Sequence, residues 1–316
     1  MRENKKRVLL LLLLAILIIG LFLGYNLGTS WRFALELRSI KLVAMLVVAC
    51  CVAYSSVAFQ TITANRILTP SIMGFESVYM LLQTIIVFVY GDMTFRVLNS
   101  FDNFLLSVVF MIGFSFLLYF LIYRRGRNNM YLLLLVGLVL GILFNTFSSF
   151  MQLLIDPNDF FIIQGKMFAS FNKINESLLW YAAGILVIVL LFGFRMNRYL
   201  DVLALGRDQA ISLGVDYPKV VKTFFIIIAI LVSVSTALIG PVAFLGLLVT
   251  NVTYQLIKSQ RHGLVIPACC LVAIIAIVGG QFIMERILNF STPISTIINL
   301  VGGIYFLYLL LKVKKI

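Results

Sequence analysis

Charged residues are scarce in this chain of 316 residues. Asp, Glu, Lys and Arg make up only 12% of it, while 62% of its residues are hydrophobic and its mean hydropathy is +1.09. An average soluble domain carries roughly 25% charged residues, and no soluble core could bury so large an apolar fraction. The charges cluster between apolar runs of about 17–25 residues, the length that crosses a bilayer as a helix. The composition therefore predicts an all-α polytopic membrane protein.

Residues that bind metals or catalyse reactions are also few. The chain has one histidine, His262, and no paired acids within its apolar runs. Its four cysteines form two adjacent pairs, Cys50-Cys51 and Cys269-Cys270. Neighbours on a helix point about 100° apart, so neither pair makes a good chelate, and we interpret all four as packing residues. We expect no catalytic residue, no metal site, no cofactor and no disulfide framework.

Features that would supply energy or bind nucleic acid are missing as well. No Gly-x-x-x-x-Gly-Lys-Ser/Thr motif occurs, so any ATP hydrolysis would have to be performed by a partner. An ion-coupled secondary transporter, the alternative from another class, usually carries ionisable residues within its spans, and here Glu76 is almost alone. The net charge of +13 comes from short segments between spans and forms no continuous basic face, which argues against nucleic acid.

Ten apolar segments are predicted to span the membrane within a single permease domain, 1–316. The basic N-terminus and Val8–Phe22 resemble a signal peptide without a convincing cleavage site, so we expect a retained first span. Placing the N-terminus in the cytoplasm puts 18 of the 25 Lys and Arg residues on the cytoplasmic side, which predicts cytoplasmic termini. Pro70 and Pro241 begin the third and eighth segments, so full crossing stays open there. The segments lie near residues 8–27, 40–63, 70–90, 104–123, 130–154, 177–194, 219–239, 241–257, 264–284 and 294–312.

The connection after the sixth segment, residues 199–216, is the most informative loop. Two short helical patterns are each ended by a glycine, Gly206 and Gly214. We expect its apolar side chains to be exposed on the cytoplasmic side, and an apolar patch with a polar rim predicts a surface that docks another protein. An ordinary amphipathic loop helix is the alternative. The apolar residues are Leu203, Leu205, Ala210, Ile211 and Leu213.

Several motifs resemble the FecCD-type permeases of iron–siderophore and cobalamin ABC importers. Leu203-Ala204-Leu205-Gly206-x-x-x-Ala210-x-x-Leu213-Gly214-Val215 is similar to the coupling-loop signature of that family. The resemblance covers roughly residues 30–312. Two positions depart from the family pattern, which usually has proline at Ile40 and Pro-His at Thr250-Asn251. Other matching segments are Leu37–Lys41, Gln60–Gly74, Gly240–Val249, Arg261-His262 before Pro267, and Pro293, and the segment Ile67–Glu76 is most similar to the petrobactin/anguibactin branch.

The resemblance implies a type II ABC importer permease that moves a ferric siderophore, petrobactin or a related catecholate, across the cytoplasmic membrane. Another iron chelate, haem or cobalamin is the alternative cargo. The implied partners are a cytoplasmic ATPase dimer, a second permease, and an extracellular or periplasmic siderophore-binding protein. A heterodimer of permeases is favoured over a homodimer. The implied ATPase-coupling residues are Leu203, Ala204, Leu205, Gly206, Ala210, Leu213 and Gly214.

The resemblance also implies a receptor-docking site at Arg38, Lys41 and Arg286 on the outer side. Arg38 and Lys41 share one helix face, and snorkelling interfacial cations are the alternative. Polar groups within spans should face a neighbour or water, and hydroxyls and amides suit a path that a bulky chelate must leave easily. Ordinary interhelical hydrogen bonding explains them as well. The candidate path residues are Gln60, Asn145, Ser148, Ser149 and Gln152, with Thr61, Thr63 and Thr146 beside them.

Overall fold

The computed structural model describes residues 2–26, 31–91, 94, 98–123, 130–172, 174–290 and 292–313. The regular structure in these ranges is helical, with a short 3₁₀ helix at Pro70–Met73. The helices are α1 (Arg2–Gly24), α2 (Trp31–Ile62), α3 (Phe75–Tyr90), α4 (Ser100–Tyr123), α5 (Met130–Gln152), α6 (Pro157–Met167), α7 (Glu176–Leu203), α8 (Arg207–Ser212), α9 (Tyr217–Ile239), α10 (Leu245–Leu256), α11 (His262–Arg286) and α12 (Ile294–Val313).

All ten predicted apolar segments are helical, and α6 and α8 lie in the connections between them. Among the described residues, seven helices are long and apolar enough to cross a membrane: α1, α2, α4, α5, α7, α9 and α11. Of the remaining three, α12 has 20 residues, and the third and eighth segments are shorter, with Pro70 starting a 3₁₀ helix before α3 and Pro241 following the end of α9. With 16 residues α3 is about 24 Å long, and with 12 residues α10 is about 18 Å long, both below the bilayer core of about 30 Å.

Close packing at the start of α3 depends on glycines. Gly74 has φ +86°, and a Cβ on it would lie 2.9 Å from Cα of Gly141 on α5. Gly137, one turn earlier on α5, faces the same 3₁₀ segment. The Gly137/Gly141 spacing therefore brings two backbones together, as small residues do between membrane helices. The same four-residue spacing occurs at Gly20 and Gly24 on α1, where no described atom lies within 4 Å of a Cβ built on either residue, so it makes no close contact within the described part of the chain.

Helix α2 lies at the centre of the bundle and packs against α7, α9, α10 and α11. The most apolar 18-residue stretch of α2 is 72% buried, whereas the corresponding stretch of α1 is 17% buried. Helices α2 and α11 run antiparallel, since Thr61 meets His262 at one end and Lys41 meets Glu285 at the other. We call these the loop end and the far end of the bundle.

Large apolar side chains cover the outside of the bundle. Leu13, Phe110, Ile142, Leu191 and Leu307 are among those at least 40% exposed, and they lie on five different helices. Side chains of this kind are stable against lipid or against the helices of another membrane subunit. Together with the seven long apolar helices, this surface makes the chain a multi-pass membrane protein.

Candidate functional site

The loop at the end of α7 has the two glycine-ended helical patterns that the sequence predicts. Helix α7 ends at Leu203, and α8 begins three residues after Ala204. Gly206 has φ +104°, a conformation that other L residues rarely adopt, and a Cβ on it would lie 2.8 Å from Oε1 of Gln209. Gly214, just beyond α8, has φ +81°. Both turns therefore favour glycine for backbone reasons.

The loop has an inner and an outer face, which corrects one expectation. Leu205, Ile211 and Leu213 are 58%, 50% and 63% exposed, as predicted. Leu203 and Ala210 are buried instead, and the prediction that they are exposed is wrong. Both pack into the core of the bundle, Leu203 from the last turn of α7 and Ala210 from the inner side of α8. These two side chains anchor the loop, and the other three form an apolar outer surface that we call the docking surface.

Charged residues of both signs border the docking surface. Arg207 and Asp208 are exposed in the first turn of α8, and the Arg207 guanidinium lies 5.8 Å from the ring centre of Tyr217. Asp216 caps the N-terminus of α9, where its carboxylate lies 2.6 Å from Nζ of Lys219. The hydrogen bond from Lys219 lowers the pKa of the Asp216 carboxyl below its ordinary value. An apolar centre with a charged rim of mixed sign suits a partner surface with an apolar groove and polar edges.

A cavity of about 300 Å³ separates this loop from the ends of α2, α10 and α11. Gln60 lines it, and its Nε2 donates to Oγ1 of Thr250 at 2.9 Å. The buried Oε1 of Gln60 has no hydrogen-bond partner within the described part of the chain. The cavity is lined by Gln60, Thr61, Ala64, Arg66, Leu203, Ala204, Leu205, Gly206, Tyr254, Ser259, Gln260, His262 and Val265.

His262, the single histidine of the chain and the first residue of α11, forms a polar cluster beside the cavity. Its side chain is buried, with Nδ1 2.7 Å from Oδ1 of Asp201 and Nε2 2.8 Å from Oγ1 of Thr61. Its backbone N–H also donates to Oδ1 of Asp201, at 2.7 Å. Two sequence signals indicate His262, the rarity of histidine and the resemblance of Arg261-His262 to the family pattern. The partners lie 61 and 201 residues away, so no local pattern indicates them.

Two of the candidate path residues on α5 bond inside the chain. The buried Ser148 hydroxyl lies 2.7 Å from Oγ1 of Thr84 on α3. Nε2 of Gln152 donates to both of these hydroxyls, at 3.1 Å to Ser148 and 3.2 Å to Thr84. This network fastens α5 to α3, as interhelical hydrogen bonds do in membranes.

The other two candidates on α5 point away from the bundle. Asn145 and Ser149 are exposed and lie one turn apart. Thr146 is also exposed, and its hydroxyl donates to the carbonyl of Ile142 on the same helix. Gln60 lies apart from this set, between α2 and α10, whereas α5 packs against α3, α4 and the 3₁₀ segment. An exposed amide and hydroxyl within a membrane helix call for water or a polar neighbour.

The three predicted outer cations come together at the far end, and Arg38 is held most tightly. Its side chain is buried, and its guanidinium donates to four carbonyl oxygens at the end of α1. The acceptors are Phe22 (3.3 Å), Leu23 (3.0 Å), Tyr25 (2.8 Å) and Asn26 (3.3 Å). These are carbonyls that a helix C-terminus leaves without partners. Arg38 therefore caps the C-terminal end of α1.

Lys41 and Arg286 are more accessible than Arg38. Nζ of Lys41 donates to Oε1 of Glu285 at 3.0 Å and to Oδ1 of Asn172 at 2.9 Å. Gln281 donates to the same two oxygens, at 2.8 Å and 3.3 Å. Arg286 is half-buried, with its guanidinium 5.7 Å from the ring centre of Tyr25. The cations could be identified from the sequence, whereas the acid Glu285 and the amides Asn172 and Gln281 around Lys41 could not.

Comparison with known proteins extends over nearly the whole chain. The FecCD transport family matches residues 8–312. The petrobactin import system permease protein YclO of Bacillus subtilis (strain 168) is 50% identical over 313 residues, covering 99% of each chain. The petrobactin import system permease protein FatC of Bacillus anthracis is 35% identical over 317 residues, covering 97% of this chain and 89% of that one.

A solved structure shares the fold. An inward-facing conformation of a metal-chelate type ABC transporter superposes with a TM-score of 0.86, covering 98% of this chain and 99% of the other. The two sequences are 21% identical, so the likeness concerns the arrangement of the helices.

Proposed function

This chain belongs to the FecCD transport family, and we propose from that premise that it is the membrane-spanning permease of an ABC importer for a ferric siderophore, with petrobactin as the cargo. The observation that carries the proposal is the 50% identity to a petrobactin import permease along 99% of both chains. Haem, cobalamin or another iron chelate is the alternative cargo within the same class.

The docking surface supports a cytoplasmic ATPase dimer as the partner at the loop end. Leu205, Ile211 and Leu213 would enter a groove of the ATPase, while Leu203 and Ala210 hold the loop to the bundle. Ala204, Gly206 and Gly214 would shape the two turns. The permease itself would perform no chemistry, and ATP hydrolysis in the partner would move the loop. This assignment makes the loop end, and both termini, cytoplasmic.

The far end would then face the siderophore-binding protein. Lys41 and Arg286 are the cations best placed to meet acidic groups of that receptor, because part of each side chain is accessible. Such pairs speed and orient docking more than they add affinity. Arg38 would act on the receptor site indirectly, because it caps the end of α1. Tyr25, the residue that follows α1, lies against the Arg286 guanidinium.

A second permease would complete the path. Asn145 and Ser149 on α5 lie where a neighbouring subunit or a water-filled passage would satisfy them. Gln60 would contribute nearer the loop end, at the cavity. Ser148 and Gln152 would position α5 through Thr84. We favour two different permeases over two copies of this chain.

The proposal is tested by uptake of radiolabelled ferric petrobactin in cells lacking this chain and in cells complemented with variants. Complementation with the wild-type chain should restore uptake, whereas Gly206→Asp should abolish it and leave receptor binding intact. Gly184→Ala is the matched control, because nothing lies within 4 Å of a Cβ at that position. Unchanged uptake after deletion would rule out petrobactin as the cargo.

Two further arms separate the alternatives. Haem, cobalamin and hydroxamate chelates in the same assay distinguish a different cargo from a different class of transporter. Collapsing the ion gradients with a protonophore while cellular ATP is maintained should leave uptake in place. Loss of uptake under that condition, with ATP unchanged, would favour ion-coupled secondary transport instead.

A further inference from the structure

One imidazole connects three helices next to the loop of residues 199–216, which carries the docking surface and is called the docking loop below. Asp201 lies in the last turn of α7, two residues before Leu203. Thr61 lies in the last turn of α2, and His262 is the first residue of α11. The ring touches both partners, at 2.7 Å through Nδ1 and 2.8 Å through Nε2. A displacement of the end of α7 would therefore be transmitted to the end of α2 through the rigid ring.

Hydrogen bonding sets the direction of the ring. An ionised carboxylate only accepts, so Nδ1 carries the proton that is donated to Asp201. Nε2 is then an acceptor, and the Thr61 hydroxyl donates its one proton either to Nε2 or to the carbonyl of Val57 on α2, each of which lies 2.8 Å away. Both nitrogens of the buried ring lie against a partner, so the ring cannot rotate without losing one of these contacts. The ring thus bridges the ends of α7 and α2, in addition to the direct hydrogen bond of 3.2 Å from the Tyr54 hydroxyl on α2 to Oδ1 of Asn197 on α7.

A cavity lies beside the contacts of the His262 ring. The segment Ala204–Gly206 borders the cavity of about 300 Å³, so there it faces open space, whereas Leu203 packs into the core. On the other side of the cavity, Gln60 precedes Thr61 on α2 and has a buried oxygen without a partner in the described residues. The cavity leaves room for the loop to move, and the His262 ring spans its edge.

We propose that His262 is the positioning residue that transmits movement of the docking loop to α2, by holding Asp201 and Thr61 at a fixed separation. The inference rests on the proposed function, because it assumes that a partner ATPase moves the loop. It predicts that loss of either contact of the ring lowers the amount of cargo moved per ATP hydrolysed, while the complex still assembles and hydrolyses ATP.

Two substitutions separate the two contacts. His262→Asn places an amide near the position of Nδ1, which keeps the contact with Asp201 and removes the contact with Thr61. His262→Gln places its amide near the position of Nε2, which keeps the contact with Thr61 and removes the side-chain contact with Asp201. Both variants retain the backbone N–H of residue 262, which donates to the Asp201 carboxylate at the start of α11. A merely structural link to one neighbour would survive in one of the two, whereas a bridge fails in both.

The experiment uses the full importer reconstituted in vesicles, with receptor, ATPase and both permeases. ATP hydrolysis and uptake of ferric petrobactin, or of whichever chelate the wild-type complex transports, are measured together. We expect both variants to bind the ATPase normally and to move roughly fivefold less iron per ATP, at the lower end of typical coupling between sites. Gln260→Ala, an exposed position on the same cavity, should retain the wild-type ratio.

A wild-type ratio in either His262→Asn or His262→Gln would overturn the proposal. If either variant fails to assemble, Thr61→Val replaces it, because it removes the hydroxyl with little change of shape, and an unchanged ratio there would also refute the bridge. In a double-mutant cycle, Thr61→Val and His262→Gln should be strongly non-additive. Failure of the proposed function looks different, since the wild-type complex would then transport no iron chelate at all.

Discussion

Nζ of Lys41 lies 3.0 Å from Oε1 of Glu285, at the end of α2 and α11 opposite to the contact between Thr61 and His262. Twenty residues of α2 separate Lys41 from Thr61, about 30 Å of helix and close to the thickness of a bilayer core. The antiparallel pair at the centre of the bundle is therefore fastened by polar contacts at both of its ends. Between them α2 buries mostly apolar side chains, so the two polar contacts favour one register of the pair.

Neutralising Glu285 should loosen the far end. Glu285→Gln leaves the Lys41 ammonium, only partly exposed, without its carboxylate, and the expected loss of unfolding free energy is about 1–3 kcal/mol. The melting temperature of the detergent-solubilised permease measures this loss. Glu36→Gln, an exposed acid near the same end of α2, should change it little. Equal melting temperatures for Glu285→Gln and Glu36→Gln would show that the ion pair contributes nothing to stability.

Arg38 and Arg286 should differ in what their removal changes. Arg38→Gln removes the cap of α1 and should lower the melting temperature, because four carbonyl oxygens lose a donor. Arg286→Gln should instead slow association with the receptor and weaken its salt dependence, as expected for a cation at the rim of an interface. Surface plasmon resonance at two salt concentrations measures the second effect. A normal association rate for Arg286→Gln would remove that residue from the docking site.

The helices and the turns of the docking loop could be predicted from the sequence because their signals are local. Apolar runs mark the spans, Pro70 and Pro241 mark the short ones, and Gly206 and Gly214 mark the turns. Burial within the loop could not be predicted, since Leu203 and Leu205 differ only in which face of one turn they occupy. That choice depends on how α7 and α8 pack against the rest of the bundle.

The roles of the polar side chains were harder still to predict, because their partners are distant along the chain. Arg38 and Lys41 are three residues apart on one helix, yet one caps α1 and the other pairs with Glu285. His262 meets Asp201 and Thr61 only when α2, α7 and α11 come together. Sequence patterns identify such residues by type, and the tertiary structure decides what they bind.

The two faces of the docking loop should respond differently to substitution. Leu213→Ser removes an exposed apolar contact and should weaken copurification of the ATPase about tenfold, with little effect on the melting temperature of the permease alone. Ala210→Leu, at a fully buried position, should lower that melting temperature through overpacking, which typically costs about 1–3 kcal/mol. Normal ATPase binding by both Leu213→Ser and Leu205→Ser would place the docking surface elsewhere.

Thiol accessibility should separate the exposed from the internal polar residues of α5. In the assembled importer, Asn145→Cys and Ser149→Cys should react with a water-soluble maleimide, because a translocation path admits water and lipid does not. Ser148→Cys is the matched control, since Ser148 is buried against Thr84 and should stay unlabelled. The native cysteines are half-buried or buried, and the unsubstituted chain gives their background. Absence of labelling at Asn145 and Ser149 would mean that this face of α5 contacts lipid or a dry subunit interface, and Gln60 would remain as the candidate path residue.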